Sequence, residues 1–283
     1  MYIKNVRSYD CKRDEKKFRH RMTNMIFTSH LDLERHAKVG QLKDNREIVF
    51  FNSSKGPKIN IICSIPDQIN DNYRKQIFSC FNKRKIDQIC RKIRDKYLFE
   101  KKVYLQSYFY NTENFLLNAS KSKDVKRFQK KYNYQILPTY DKDRIYELYN
   151  KWAKMQESKG KPAAPDTELD FFFDTKNIKR YKIRFLFLEV DGQLVGAKIV
   201  YPFFTKSKKT LILRYQFSLY EYYGINQFMT YELMKRERDF KEFSDGGEFV
   251  AERFEGRRQY KMSRRRPDKI VDIYKLEVTK KVS

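Results

Sequence analysis

The chain has 283 residues, 40% hydrophobic and 16% aromatic, with only 9 Gly and 7 Pro; this much Phe and Tyr can bury a sizeable core, which excludes global disorder and the collagen-like and Gly/Ser-rich classes. Lys and Arg number 62 against 36 Asp and Glu, a formal net charge of +26, too large to be incidental to a small-molecule site and suited to polyanions such as nucleic acid, an anionic membrane surface or polyphosphates. No run approaches the roughly 20 apolar residues of a membrane span, and MYIKNVRSYDCKRDEKKFRHR carries neither an apolar segment nor a small-residue cleavage site, so the expected location is cytoplasmic.

The four cysteines (Cys11, Cys63, Cys80, Cys90) form no CxxC pair, and the three histidines are His20, His30 and His36. That spacing lacks the close ligand pairs of a structural zinc site, so no metal is expected and the thiols read as reduced.

Along the chain, 46–51 and 59–65 read as strands flanking a turn at Lys55–Pro57. Residues 81–97 read as a helix with Ile86, Ile89, Cys90, Ile93 and Tyr97 on one face. A strand at 102–110 follows, then a short basic helix from Asn118, with Val125 and Phe128 inward and Ser120 or Ser122 as N-cap. NYQILP is a strand ending at Pro138. Residues 141–157 form an amphipathic helix with Ile145, Leu148, Tyr149, Trp152 and Met155 at helical spacing and Asp141 as cap.

A loop at 159–166 and a short helix at 168–174 lead to strands 183–190 and 193–202 around Asp191-Gly192, the signature of a hairpin with a type I′ turn. After the basic loop TKSKK come a strand at 210–218, a helix at 225–240, a short strand at 243–247, a basic helix at about 251–262 and a last strand at 270–278. The class is α/β, an α+β mixed sheet with helices on its faces.

Charge is clustered. Lys121, Lys123, Lys126, Arg127, Lys130 and Lys131 form one group; Arg257, Arg258, Lys261, Arg264, Arg265 and Arg266 form another. Arginine forks match phosphate oxygens, and Phe128, Tyr132, Phe254 and Tyr260 lie between the charges, where bases can stack. The alternative is a set of solvated cations that keep the chain soluble.

The order of elements resembles the GNAT acyltransferase fold, and the finer pattern resembles the tRNA-dependent aminoacyl transferases of the Fem type and the C-terminal domain of phosphatidylglycerol lysyltransferases. LLNASKSKDVKRFQKKYNYQI, LYNKWAKMQESKG, FLEVDGQLVGAKIVYPF, the segment YYGINQFMTYELMKRERDFKEFSDGG and GRRQYKMSRRRP carry the similarity over roughly residues 110–280. The resemblance implies two tandem GNAT-like units, a degraded one at 1–110 and a transferase domain at 111–283. Acetyl-CoA-dependent members place a Gly-rich loop before the crossover helix to cradle a pyrophosphate; here SLYEYYGIN holds only Gly224. The resemblance therefore implies no resident cofactor, with aminoacyl-tRNA as donor in preference to acyl-CoA.

It further implies site roles. Lys261, in the lysine position of the G-x-x-x-[FY]-K segment, polarises the ester carbonyl or holds a phosphate, with Tyr260 stacking on a terminal base; the alternatives are one more solvated cation in a basic helix and a tyrosine packed in the core. Asp245, before Gly246-Gly247, takes a proton from the amine or fixes an ammonium; the alternative is a turn aspartate. Arg214 and Tyr215 face the cleft, a charge within an apolar strand needing a partner. Gly224, Asn226 and Gln227 open the crossover helix, with Asn226 alternatively its cap. Lys126, Arg127, Lys130, Lys131, Arg257, Arg258, Arg264, Arg265 and Arg266 form the tRNA-backbone surface. Two rival readings remain: an acyl-CoA-dependent N-acyltransferase acting on nucleic acid, and a non-catalytic nucleic-acid-binding protein on a transferase scaffold.

Overall fold

The computed structural model describes residues 4–8, 38–41, 47–52, 59–61, 75–81, 83–95, 97–160, 167–204, 209–250 and 255–280. The chain forms two compact units: Met1–Tyr108 with Gly247–Arg264 and Ile270–Ser283, and Phe109–Gly246 with Arg265–Lys269.

In the first unit, β1 (Lys4–Ser8), β2 (Lys38–Gln41), β3 (Glu47–Asn52), β4 (Ile59–Ile61) and β5 (Lys75–Phe81) neighbour in chain order. All pair antiparallel except β4 with β5. The final strand of the chain, Lys269–Lys280, pairs antiparallel with β5. Helix α1 (Lys83–Ile93) buries Ile86 and Cys90. The helix expected over 81–97 is thus shorter, and Tyr97, expected on its face, instead opens the long strand β6 (Tyr97–Asn111). The expected Lys55–Pro57 turn, Phe254, Cys11, Cys63 and the three histidines lie outside the described residues.

The second unit opens with α2 (Thr112–Lys121) and α3 (Lys123–Lys131). The helix expected from Asn118 is two helices, broken at Ser122, which is extended (φ −63°, ψ 133°) and accepts a hydrogen bond from the Asp124 amide. After β7 (Tyr134–Leu137) comes α4 (Lys142–Glu157), capped by Asp141 and burying Ile145, Leu148 and Tyr149 as its periodicity requires. Helix α5 (Thr167–Phe173) is followed by α6 (Thr175–Tyr181), which the sequence reading lacked.

Strands β8 (Arg184–Val190) and β9 (Gln193–Phe204) form the expected hairpin. Asp191 and Gly192 both take positive φ (49° and 78°), as a type I′ turn demands. Then come β10 (Lys209–Ser218), α7 (Ile225–Arg236) and β11 (Glu242–Phe249). Helix α7 stops short of the expected 240, and Phe240 is buried beyond it. Within this unit the strand order is β11-β10-β9-β8-β7; β10 is antiparallel to β9 and parallel to β11 across α7, so the sheet is mixed. The basic segment near the C-terminus is a short helix α8 (Glu255–Tyr260) that opens into a π turn (Lys261–Arg265) before β12 (Lys269–Lys280).

Alternation along β10 sorts the two faces of the second unit's sheet. Tyr215 and Phe217 meet aromatic rings from α5 and α4: Tyr215 lies 5.3 Å from Phe172, and Phe217 lies 5.9 Å from Tyr149. Gln216 and Ser218 point the other way, to α7. On that face Phe128 of α3 stacks on Phe228 of α7 at 4.4 Å. Phe128 is fully buried and cannot stack a base, which corrects the expectation for that ring. Cys90 is a buried free thiol, and among the described residues no three His, Cys, Asp or Glu gather as a metal site. Among them, too, no helix is long and apolar enough to cross a membrane.

Candidate functional site

The parallel strands β10 and β11 pair through only Thr210–Glu242, Leu211–Phe243 and Ile212–Ser244. The ladder ends there although both strands run on, to Ser218 and Phe249. Each strand carries a device at that point. On β10 the register against β9 slips between Leu213 and Tyr215, so Arg214 is the extra residue of a β-bulge, which bends a strand and raises its twist. On β11, Gly246 takes φ 69°. The hydrogen-bonded pairing of the two parallel strands thus stops at Ile212–Ser244, and open α/β sheets bind ligands outside the carboxyl ends of their strands.

Arg214 and Tyr215 sit on this bulge, both half-buried, with the Arg214 guanidinium 5.4 Å from the Tyr215 ring. Asp245 stands on β11 beside the end of the ladder and forms an ion pair with Arg265, whose side chain is 4% exposed. Arg265 is therefore a buried partner of Asp245, a correction to its expected place on a nucleic-acid surface. Gly247 follows in β11.

Behind β10, the crossover helix is held by a buried polar network. Lys198 of β9 is 1% exposed and donates to Gln216 and, at 2.8 Å, to Thr230. Gln216 donates in turn to Asn226, and Ser218 donates to the same Asn226 oxygen at 2.6 Å. Asn226 is thus an acceptor inside the network. The helix cap is Gly224, with φ 82° and no side-chain cap bond. Gly224 has a second reason to be glycine: a Cβ there would lie 2.6 Å from the carbonyl oxygen of Asp124. Gln227 is buried, and among the described residues its Oε1 has no hydrogen-bond partner.

Lys198 and Gln216 escaped the sequence reading, although a lysine inside QLVGAKIVYP is the same signal that singled out Arg214. The loop before α7 was also read only for its lack of glycine; it presents Tyr220 and Tyr223, 41% and 47% exposed. Burial and then the Glu221 carboxylate push the phenol of Tyr222, between them, above its ordinary range.

In the first unit, Lys261 opens the π turn and is 8% exposed, its ammonium 5.3 Å from the centre of the Tyr108 ring. Tyr108 is fully buried and donates to Gln106, which donates to Asp272 at 3.0 Å. A desolvated cation on an aromatic face is worth more than a surface one, and single π turns recur at functional sites. Tyr260 is 38% exposed, Arg257 is exposed, and Arg258 is half-buried against Glu255. The side chain of Arg264 lies outside the described residues; Arg266 is exposed. In the second unit Lys126, Arg127, Lys130 and Lys131 are all exposed along α3.

No protein-family model and no curated protein matches this chain. Solved structures do. A conserved protein of unknown function from Bacteroides thetaiotaomicron matches at TM-score 0.69 and 14% identity, covering 98% of this chain and 99% of that one. L-PGS from Bacillus licheniformis matches at TM-score 0.56 and 14% identity, covering 88% and 85%. FemX matches at TM-score 0.54 and 9% identity, covering 85% and 87%. The chain shares its fold with L-PGS and FemX.

Proposed function

We propose that this chain is an aminoacyltransferase that moves an amino acid from aminoacyl-tRNA to an amine or hydroxyl acceptor, such as a lipid headgroup, a peptide or a cell-wall precursor. The observation that carries the reading is the β10–β11 ladder that stops after three pairs, with a bulge at Arg214 on one strand and a positive-φ glycine on the other. The fold shared with L-PGS and FemX supports it.

The reaction needs no covalent enzyme intermediate. The acceptor's lone pair forms a bond to the ester carbonyl carbon, and the carbonyl oxygen becomes an oxyanion. Its collapse breaks the ester bond and releases the terminal ribose hydroxyl, which takes the proton the acceptor loses. Lys261 supplies positive charge to the oxyanion. Asp245, paired with Arg265, fixes a substrate ammonium. The Lys198–Gln216–Asn226 network keeps the start of α7 in place.

The donor reading rests on Gly224. The first turn of α3 presses against the start of α7, bringing the carbonyl and Cβ of Asp124 to where a Gly224 side chain would be. A backbone oxygen and an acidic residue are poor neighbours for the diphosphate of CoA, which a helix start must otherwise cradle.

The test supplies a pool of charged, labelled tRNA with candidate acceptors and follows the label. Transfer is expected, falling about 100-fold in Lys261→Ala and less in Lys261→Arg. Transfer from acetyl-CoA, together with a melting temperature raised by acetyl-CoA and not by tRNA, would overturn the reading.

A further inference from the structure

The loop between β10 and α7, residues 219–224, is built more firmly than a connection requires. The Leu219 amide donates to the Val195 carbonyl at 2.9 Å, and the Ile225 amide closes back on Tyr222 at 3.2 Å. Tyr222 packs inward against Tyr132, ring centres 5.3 Å apart, and Gly224 is wedged against Asp124.

On this fixed loop Tyr220 and Tyr223 project to opposite sides. Tyr220 turns toward the α4 side: the amide of Gln156, a residue 2% exposed, donates to its hydroxyl at 2.7 Å, and the Lys159 ammonium lies 4.2 Å from its ring centre. Tyr223 turns toward α3, with the Arg127 guanidinium 4.6 Å from its ring centre. Both rings stay about half open to solvent. Anchoring an exposed phenol with a buried amide spends a core hydrogen bond on holding a ring outward. Beyond Tyr223, Lys126, Lys130 and Lys131 continue the positive surface along α3.

We infer that this loop is a stacking platform for single-stranded RNA: Tyr220 and Tyr223 each take the face of an unpaired base, while Lys159, Arg127 and the α3 lysines meet the phosphates. Fixed aromatic faces interleaved with cations bind single strands without reading their sequence. The inference rests on the proposed use of tRNA, whose acceptor end is unpaired, and deepens it by naming the surface that grips that end. Glu221, exposed within the loop, opposes phosphate, so Glu221→Gln is expected to tighten binding.

The experiment titrates the full chain against a labelled short single-stranded oligoribonucleotide and a blunt RNA duplex with the same number of phosphates. Tyr220→Ala and Tyr223→Ala are each expected to weaken single-strand binding about tenfold and leave duplex binding unchanged; Tyr223→Ala is expected to leave the melting temperature unchanged, whereas Tyr220→Ala, which strips the buried Gln156 amide of its acceptor, is expected to lower it. Tyr223→Phe is expected to bind as the native chain does. Lys126→Ala with Arg127→Ala is expected to flatten the salt dependence by about 0.7 log units per lost phosphate contact.

Tyrosine variants that bind the single strand as tightly as the native chain would overturn the inference. So would tyrosine-dependent binding to phosphatidylglycerol-containing vesicles with none to RNA. The two readings fail separately: tyrosine-dependent single-strand binding with no transfer from charged tRNA leaves the platform and removes the reaction. Transfer with no dependence on the tyrosines does the reverse.

Discussion

At the residue scale, the run Arg264-Arg265-Arg266 shows how backbone geometry assigns opposite tasks to identical side chains. Arg265 ends the π turn and is buried against Asp245, whereas Arg266, at φ 49°, is exposed. Nothing in three consecutive arginines tells them apart, because the turn that rotates one inward has no sequence signature. Removing one partner of a buried ion pair leaves the other charge desolvated. Asp245→Ala should therefore cost about 3 kcal/mol of stability, while Asp245→Leu with Arg265→Met should recover most of it. Arg266→Ala should change stability by less than about 0.5 kcal/mol. Urea denaturation of these three variants and of Arg265→Ala checks this, and equal losses for Arg265→Ala and Arg266→Ala would contradict the buried pair. Lys261 was singled out for a different reason: it stands in a segment whose order of residues resembles a family pattern, and the same turn buries it against Tyr108.

At the element scale, what the sequence revealed is what local rules govern. Asp191-Gly192 between apolar runs and the helical stripe from Ile145 to Met155 needed no tertiary information, and both formed as read. Helix α6 was missed because none of its residues is buried, so it has no apolar stripe to detect. The start of α2 was missed because its cap, Asn111, ends a strand and serves two elements at once. The break between α2 and α3 left two serines as candidates, and the structure separates them. Ser122 Oγ accepts from the Asp124 amide, whereas Ser120 Oγ donates back to the Leu117 carbonyl at 2.9 Å within its own helix. A lost N-cap costs about 1 kcal/mol, and a serine bonded back within its helix is near neutral. Ser122→Ala should thus lower the denaturation midpoint and Ser120→Ala should not; the reverse order would place the helix boundary elsewhere. The boundary matters to the candidate site, because Asp124 in the first turn of α3 is the residue pressed against Gly224 at the start of α7.

At the scale of the whole molecule the question is whether a charge of +26 acts as a diffuse field or through defined contacts. A diffuse field steers any polyanion and responds to the total charge, while defined contacts each release counterions from a phosphate and add about 0.9 to the slope of log affinity against log salt on duplex regions. Replacing Lys126, Arg127, Lys130 and Lys131 on α3 by glutamine removes four exposed cations beside the tyrosine loop. Replacing Lys151, Lys154, Lys176 and Lys179 removes four exposed cations from α4 and α6. The net charge falls equally in both. With total tRNA as ligand, the first variant should lose as much as about 3.6 from the salt slope, and the second should keep the native slope. Equal losses in the two would show that the charge serves only as a field, and would return the α3 cluster to the role of a solvated helix face. Arg265→Met removes a cation as well, yet it should leave the slope untouched, since that charge is already spent on Asp245.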